Sequence, residues 1–142
     1  MTAPERHARA WLLLDAALAV HVADEALTGF LDFYNPLVRQ LRNRLGFWPM
    51  PTFTFGVWLS GLIVLVVIIA LLTPAVRRGA RGMRFLSWVL AVIMLGNGIA
   101  HLAGSLYYQR WLPGATSAPL LLVAAIMLIN AIMARSRHAH AP

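Results

Sequence analysis

One histidine and two acids stand together in "HVADE", residues 21 to 25, and a further acid, Asp32, follows within the same run. Side chains three and four positions apart emerge on one side of a helix, so His21 with Asp24 or Glu25 can direct two ligands to one centre, or set an acid beside a base. On a projection of about 100° per residue, His21, Asp24, Glu25, Thr28 and Asp32 share one stripe about 100° wide. A second polar stripe lies far along the chain, with Asn97, His101, Ser105 and Tyr108 on one side and Gly96, Gly98 and Gly104 interspersed. Small residues at such spacing let neighbouring helices approach closely. Asp15 falls off the first stripe and about 9 Å earlier along the axis, in a different environment.

The elements that must position these residues are apolar. Hydrophobic residues make up 60% of the 142 positions and charged ones 12%, against roughly 45–50% and 25% in a soluble domain. That composition reads as an integral membrane protein. Stretches 53–72, 85–106 and 119–134 are almost free of charge, and with the opening segment they make four spans, each near the roughly 17–25 residues a crossing requires. The predicted fold is all-α. It is a single four-transmembrane-helix bundle over 1–142, with helices near 9–33, 53–73, 84–109 and 117–135, and a short interfacial amphipathic segment between helices 1 and 2. In that segment Leu37, Val38, Leu41 and Leu45 recur at helical spacing opposite arginines, and Gly46 with Pro49 and Pro51 closes it; the alternative is a solvated loop with Phe47 and Trp48 in an aromatic belt. "TPAVRRGARGM", residues 73 to 83, reads as a plain connector. "RWLPGATSAP" reads as an outer turn, and the final "RSRHAHAP" as a frayed tail. Arg6 and Arg9 ahead of an apolar run resemble a signal peptide, but Asp15 interrupts that run and the helical pattern continues to Phe33, so the segment is expected to stay.

All twelve basic residues are arginine, and they sit at helix ends. Arg6, Arg9, Arg77, Arg78, Arg81, Arg84, Arg135 and Arg137 fall on one side, and Arg39, Arg42, Arg44 and Arg110 on the other. The bias predicts an inner-membrane, multi-pass protein with both termini cytoplasmic. No basic face is left free of the spans, which argues against nucleic acid as a partner and for anionic lipid. The absence of cysteine excludes disulfides and thiolate chemistry. Trp11, Trp48 and Trp111 read as interfacial anchors, Trp58 and Trp88 as lipid-facing or packing residues, and Asp15 as pairing with an arginine or capping a small water pocket. With helices 1 and 3 both running outward, Glu25 and His101 lie roughly 22–24 Å from the cytoplasmic boundary at about 1.5 Å per residue, and His21 and Asn97 roughly 16–18 Å. The two stripes are level, and Asp32, Tyr108 and the Pro113-Gly114 turn belong at their mouth.

"HVADE", together with "NGIAH" at 97–101 and "LPG" at 112–114, resembles the HXXEE family of small bacterial membrane proteins. The resemblance extends over most of the chain. It implies a shared site at His21, Asp24, Glu25, Asn97 and His101, with no established reaction. Asp24 stands where the signature has its first glutamate, which keeps the charge and shortens the reach by one methylene.

Three chemistries suit these residues. A metal site would draw His21, Asp24, Glu25, His101 and Asn97 to one divalent ion, zinc, manganese or iron. Helices 2 and 4 contribute no acids, so one ion is expected rather than two. Metal-free catalysis would use Glu25, Asp24 and His101 as acid and base, with Tyr108 as a donor, to isomerise, cyclise or hydrolyse a lipid-like or isoprenoid substrate. A non-enzymatic cluster would fix helix register, bind a ligand or relay protons or ions. No G-x-S-x-G elbow supports serine hydrolysis. Membrane lipid and a lipid-like small molecule are the expected partners, and nothing in the sequence specifies an oligomeric state. The arginine split predicts that a reporter active only in the cytoplasm, fused to the C-terminus, will be active; activity of a reporter that requires export would invert the topology.

Overall fold

The structure, a computed structural model, describes residues 2–139. They form six helices, α1 (Ala3–Thr28), α2 (Phe30–Leu45), α3 (Phe55–Leu71), α4 (Thr73–Arg78), α5 (Met83–Tyr107) and α6 (Ala118–Ala139), and no strand among the described residues. The all-α class is as predicted. Several boundaries are not, and each difference has a local cause.

α1 begins well before position 9 because "TAPE" is a reciprocal cap. The Thr2 hydroxyl accepts from the Glu5 N–H, and the Glu5 carboxylate accepts from the Thr2 N–H at 2.8 Å. The backbone N–H and hydroxyl of Thr2 hold the exposed Glu5 carboxyl below its ordinary pKa. The predicted helix 9–33 is two helices. Gly29 adopts φ 77° and ψ 43°, a left-handed conformation that stops α1, while its N–H still reaches the Glu25 carbonyl. Asp32 therefore lies in the first turn of α2, out of phase with the His21 stripe to which the projection assigned it.

The amphipathic segment is a helix, closed at Gly46 as expected, but it starts at Phe30 and carries Pro36 inside it. The chain then doubles back along α2. Asn35 donates to the Phe53 carbonyl at 2.9 Å and accepts from the Phe53 N–H at 3.0 Å, and the Tyr34 hydroxyl donates to the Pro51 carbonyl at 3.0 Å. These bonds fix where α3 starts.

Half of the expected connector at 73–83 is helical. Leu72 keeps a right-handed helical conformation between α3 and α4, Pro74 is tolerated in a first turn, and Val76 is fully buried. Trp11 is likewise not an interfacial anchor. It is fully buried in the core, and its indole N–H donates at 2.8 Å to the Ile69 carbonyl in the last turn of α3, where helical carbonyls need outside donors.

α6 packs along both α1 and α5, and α1 also rests on α3 and α4. Trp11 and Leu14 of α1 meet Leu121, Leu128 and Ile132 of α6 in the core. α5 lies close to α6 at Gly98, where a Cβ would come within 2.8 Å of the Leu122 side chain and 3.2 Å of the Ala118 carbonyl. Ser87 donates to the Met83 carbonyl, so its single proton is committed and the buried His7 Nε2 donates to Ser87 at 2.9 Å, tying the start of α1 to α5. α6 continues past the predicted end at 135, and the expected frayed tail beyond Ala139 lies outside the described residues.

Of the four expected spans, two stretches are long and apolar enough to cross a membrane, Phe55–Arg78 and Met83–Tyr107. The apolar part of α6, Ala118–Ala134, is shorter, and α1 does not qualify because charged and polar residues recur along it.

Candidate functional site

The two polar stripes meet. His21 and Glu25, one turn apart on α1, face Asn97 and His101, one turn apart on α5. Glu25 Oε1 lies 3.1 Å from His101 Nε2 and 3.7 Å from His21 Nε2, and Asn97 Oδ1 lies 3.1 Å from His21 Nε2. The two imidazoles meet edge to face with centroids 4.8 Å apart. The side chains of His21 and Glu25 are only 1% and 6% exposed, and that of His101 11%, so solvent does little to offset the carboxylate charge.

Hydrogen bonds at the far side of each ring decide which nitrogens face the carboxylate. His101 Nδ1 lies 2.7 Å from the Pro113 carbonyl, which only accepts, so Nδ1 carries the proton. The Ser117 hydroxyl lies 2.7 Å from Asp24 Oδ2 and 2.8 Å from His21 Nδ1. A carboxylate takes the hydroxyl proton more strongly than an imidazole, so His21 Nδ1 donates to Ser117. Both rings are anchored by Nδ1–H; His101 turns Nε2 toward Glu25, while His21 Nε2 stands between Asn97 Oδ1 at 3.1 Å and Glu25 Oε1 at 3.7 Å. A bare imidazole lone pair 3.1 Å from a carboxylate oxygen is repulsive. The arrangement therefore calls for a cation between them, either a proton or a metal. His21, Glu25 and His101 offer ligand atoms all within 4.8 Å of one another and form a group that could hold a metal ion.

The loop before α6 closes over the cluster. Gly114 has φ 82°, and a Cβ there would fall 2.6 Å from His101 Cε1 and 3.1 Å from Glu25 Cγ. Only glycine combines that backbone angle with so close an approach. Ser105 holds the loop's other end, donating to the His101 carbonyl at 2.8 Å and accepting from the Leu112 N–H at 3.1 Å. "LPG" thus supplies both a carbonyl and a space.

Not every predicted site residue joins the cluster. Asp24 accepts from the N–H and hydroxyl of Ser117, at 2.9 and 2.7 Å, and reaches the cluster only through that serine. Tyr108 does not reach it. That residue ends α5, half exposed, with its ring edge-on to Phe33 at 5.3 Å. The Thr28 hydroxyl donates to the Asp24 carbonyl within its own helix. Asp32 shares a cleft with Glu25 rather than the cluster itself. Asp15 pairs with no arginine among the described residues: it is buried, and its Oδ1 has no hydrogen-bond partner. The residue missed by sequence reasoning is Ser117. Its signal was available, a serine directly ahead of Ala118-Pro119 at a helix start.

Ser117→Ala strands the buried His21 Nδ1–H and removes a donor from Asp24, and is expected to cost about 1–3 kcal/mol of stability. Thr116→Ala, which removes only an exposed acceptor from Trp111, should cost under about 0.5 kcal/mol. Thermal unfolding of both variants in one detergent checks this, and equal shifts would remove Ser117 from its bridging position.

No curated protein and no solved structure matches the chain. One family model matches residues 11–129, from the buried Trp11 to Ile129 in the middle of α6, and it covers His21, His101, Glu25 and Ser117. The chain therefore belongs to the family described as "Protein of unknown function with HXXEE motif".

Proposed function

We propose that this chain is a multi-pass inner-membrane protein that holds one divalent metal, zinc by its donor set, between His21, Glu25 and His101, and acts there on a lipid-like substrate. One observation carries the metal. Zinc bonds of about 2.0–2.1 Å in a tetrahedral arrangement place donor atoms roughly 3.3 Å apart, and the 3.1 and 3.7 Å separations from Glu25 Oε1 to the two Nε2 atoms bracket that value. A single proton is well placed at 3.1 Å but not at 3.7 Å, beyond hydrogen-bond range. Two histidines and one glutamate, with a position left open, form a donor set used by hydrolytic zinc sites. Such an ion polarises a carbonyl or phosphoryl oxygen, or activates water. The Ser117–Asp24 pair and the Pro113 carbonyl then act as the outer partners that fix ring orientation for metal-binding histidines.

Membrane location is supported by the outward faces of the long helices. Val57, Val64, Ile68 and Leu71 on α3–α4, Val92, Ile93 and Ile99 on α5, and Val123 and Ile126 on α6 are all exposed. Continuous apolar faces of that extent favour a lipid surround over water, and the excess of arginine on one side supports a reading with both termini cytoplasmic. In that frame the whole chain is one membrane domain, α1 and α6 complete a four-span bundle, and the cluster sits in the outer half of the bilayer.

A second reading is favoured by Asn97. With its amide turned, Nδ2 would donate to His21 Nε2 at the observed 3.1 Å, leaving Glu25 and His101 to share one proton as a metal-free acid–base pair.

Zinc analysis of the full chain after loading and dialysis in neutral detergent separates the two. The metal reading expects about one zinc per chain in the wild type. His21→Ala, His101→Ala and Glu25→Gln should stay folded and lose it, and Asp24→Asn should bind about 10–100-fold more weakly. A wild type that holds no more zinc than the His21→Ala, His101→Ala double variant would leave the acid–base pair standing.

A further inference from the structure

A cleft of about 340 Å³ opens beside the cluster. Glu25 and Asp32, the latter on the helix that follows Gly29, both line it, and Phe30, Phe53, Phe55 and Trp58 supply aromatic sides. The rings form a connected set. Phe30 lies 5.7 Å from Trp58 and 5.8 Å from His101, Trp58 lies 6.0 Å from Phe55, and Tyr34 lies between Phe30 at 5.3 Å and Phe53 at 6.1 Å.

The polar character of this cleft is one-sided. No basic side chain among the described residues lines it. Asn35, the remaining polar side chain there, spends its amide donor and its oxygen on the Phe53 backbone. Pro36 has no N–H, so the Asp32 carbonyl lacks the donor that a helix would otherwise return to it four residues on. With Glu25 committed to the two histidines, the free charge in the lining is the Asp32 carboxylate, set among aromatic side chains. At that end an anionic head group is repelled and an uncharged one leaves the carboxylate unpaired. An ammonium group suits it, because a carboxylate with aromatic rings nearby favours an alkylated amine.

We infer that the cleft binds the ammonium head group of a single-chain or double-chain amphiphile, which would make a cationic or zwitterionic amine lipid the substrate class of the neighbouring centre. The assignment rests on the reading of the chain as a membrane protein with its reacting centre at the histidine–glutamate cluster. It also orients the molecule. A divalent ion with Glu25 as its one anionic ligand leaves that end of the cleft positive, so the ammonium belongs at Asp32 and the electron-rich part of the amphiphile faces the cluster. The hydrocarbon chain leaves past Phe55 and Val57, both exposed at the start of α3. Asp32 in the first turn of α2 also favours that helix terminus, but a role confined to the helix would not distinguish a cationic probe from an anionic one.

Equilibrium dialysis of the full chain in a neutral detergent against hexyltrimethylammonium, with hexyl sulfate and hexanol as chain-matched controls, tests the assignment. The expected result is saturable uptake of about one ammonium per chain and none of the sulfate. Affinity should fall about tenfold in Asp32→Asn, with a loss of one desolvated contact, and recover in Asp32→Glu, while zinc content stays unchanged in both. Equal uptake of hexanol and the ammonium, or an Asp32→Asn protein that binds the ammonium as the wild type does, would overturn it. Zinc bound without ammonium uptake refutes the head-group assignment and leaves the metal centre standing. Ammonium uptake without zinc refutes the metal centre alone.

Discussion

Glu25 is a buried carboxyl whose Oε1 stands 3.1 Å from His101 Nε2 and 3.7 Å from His21 Nε2, and most of the molecule's unusual features follow from making that contact tolerable. A buried, uncompensated charge costs several kcal/mol. At the depth proposed for it in a bilayer, insertion scales add about 2.5–3.5 kcal/mol for an acid near a helix centre. The fold meets the cost by fixing every neighbour. The Pro113 carbonyl and Ser117 hold the outer nitrogens of the two rings, Asp24 holds Ser117, and Gly114 lets the loop press against both His101 and Glu25. Three segments, α1, α5 and the loop before α6, thus converge on one carboxylate. Hydrogen-bonded packing alone would be served as well by a neutral amide in place of Glu25. A cation held by the cluster gives the charge a purpose.

The break at Gly29 gives this centre an opening. Had α1 run on to Phe33, its outer end would have continued straight past the cluster. The left-handed turn instead sends α2 aside, carrying Phe30 over His101 and placing Asp32 at the cleft. The Asn35 clamp on Phe53 then brings the start of α3 against the same space, so that Trp58 and Phe55 form its wall. The N-terminal half of α1 is built differently. There Trp11 and Leu14 belong to the core shared with α3, α4 and α6, and the buried polar groups of that half are His7, bonded to Ser87, and Asp15.

The meeting of His21 and Glu25 with Asn97 and His101 was legible because helical spacing and equal depth are both one-dimensional properties of a sequence. The roles of individual acids were not. Asp24 and Glu25 are adjacent and chemically alike, but about 100° of rotation turns one toward the α6 loop and the other toward α5, and no sequence pattern says what either will meet. Asp32 was misplaced because a projection assumes unbroken helical phase, and one glycine at φ 77° resets it. Tyr108 failed for another reason: it caps α5 about two turns beyond His101, and its ring meets Phe33 there. Trp11 shows the limit of composition rules, since a tryptophan near a span end is also well suited to donate to a helix carbonyl in the interior. Ser117 carried a capping signal, but that its hydroxyl would join two residues of α1 depends on a tertiary contact that spacing does not encode.

X-ray absorption at the zinc edge of the loaded, detergent-solubilised protein addresses the central claim directly, because it reads the ligands rather than the occupancy. The account predicts two imidazole nitrogens at about 2.0–2.1 Å and carboxylate or water oxygen at about 2.0–2.2 Å, with the imidazole scattering reduced in His101→Ala. A first shell of oxygen alone, or a spectrum unchanged by that substitution, would contradict it.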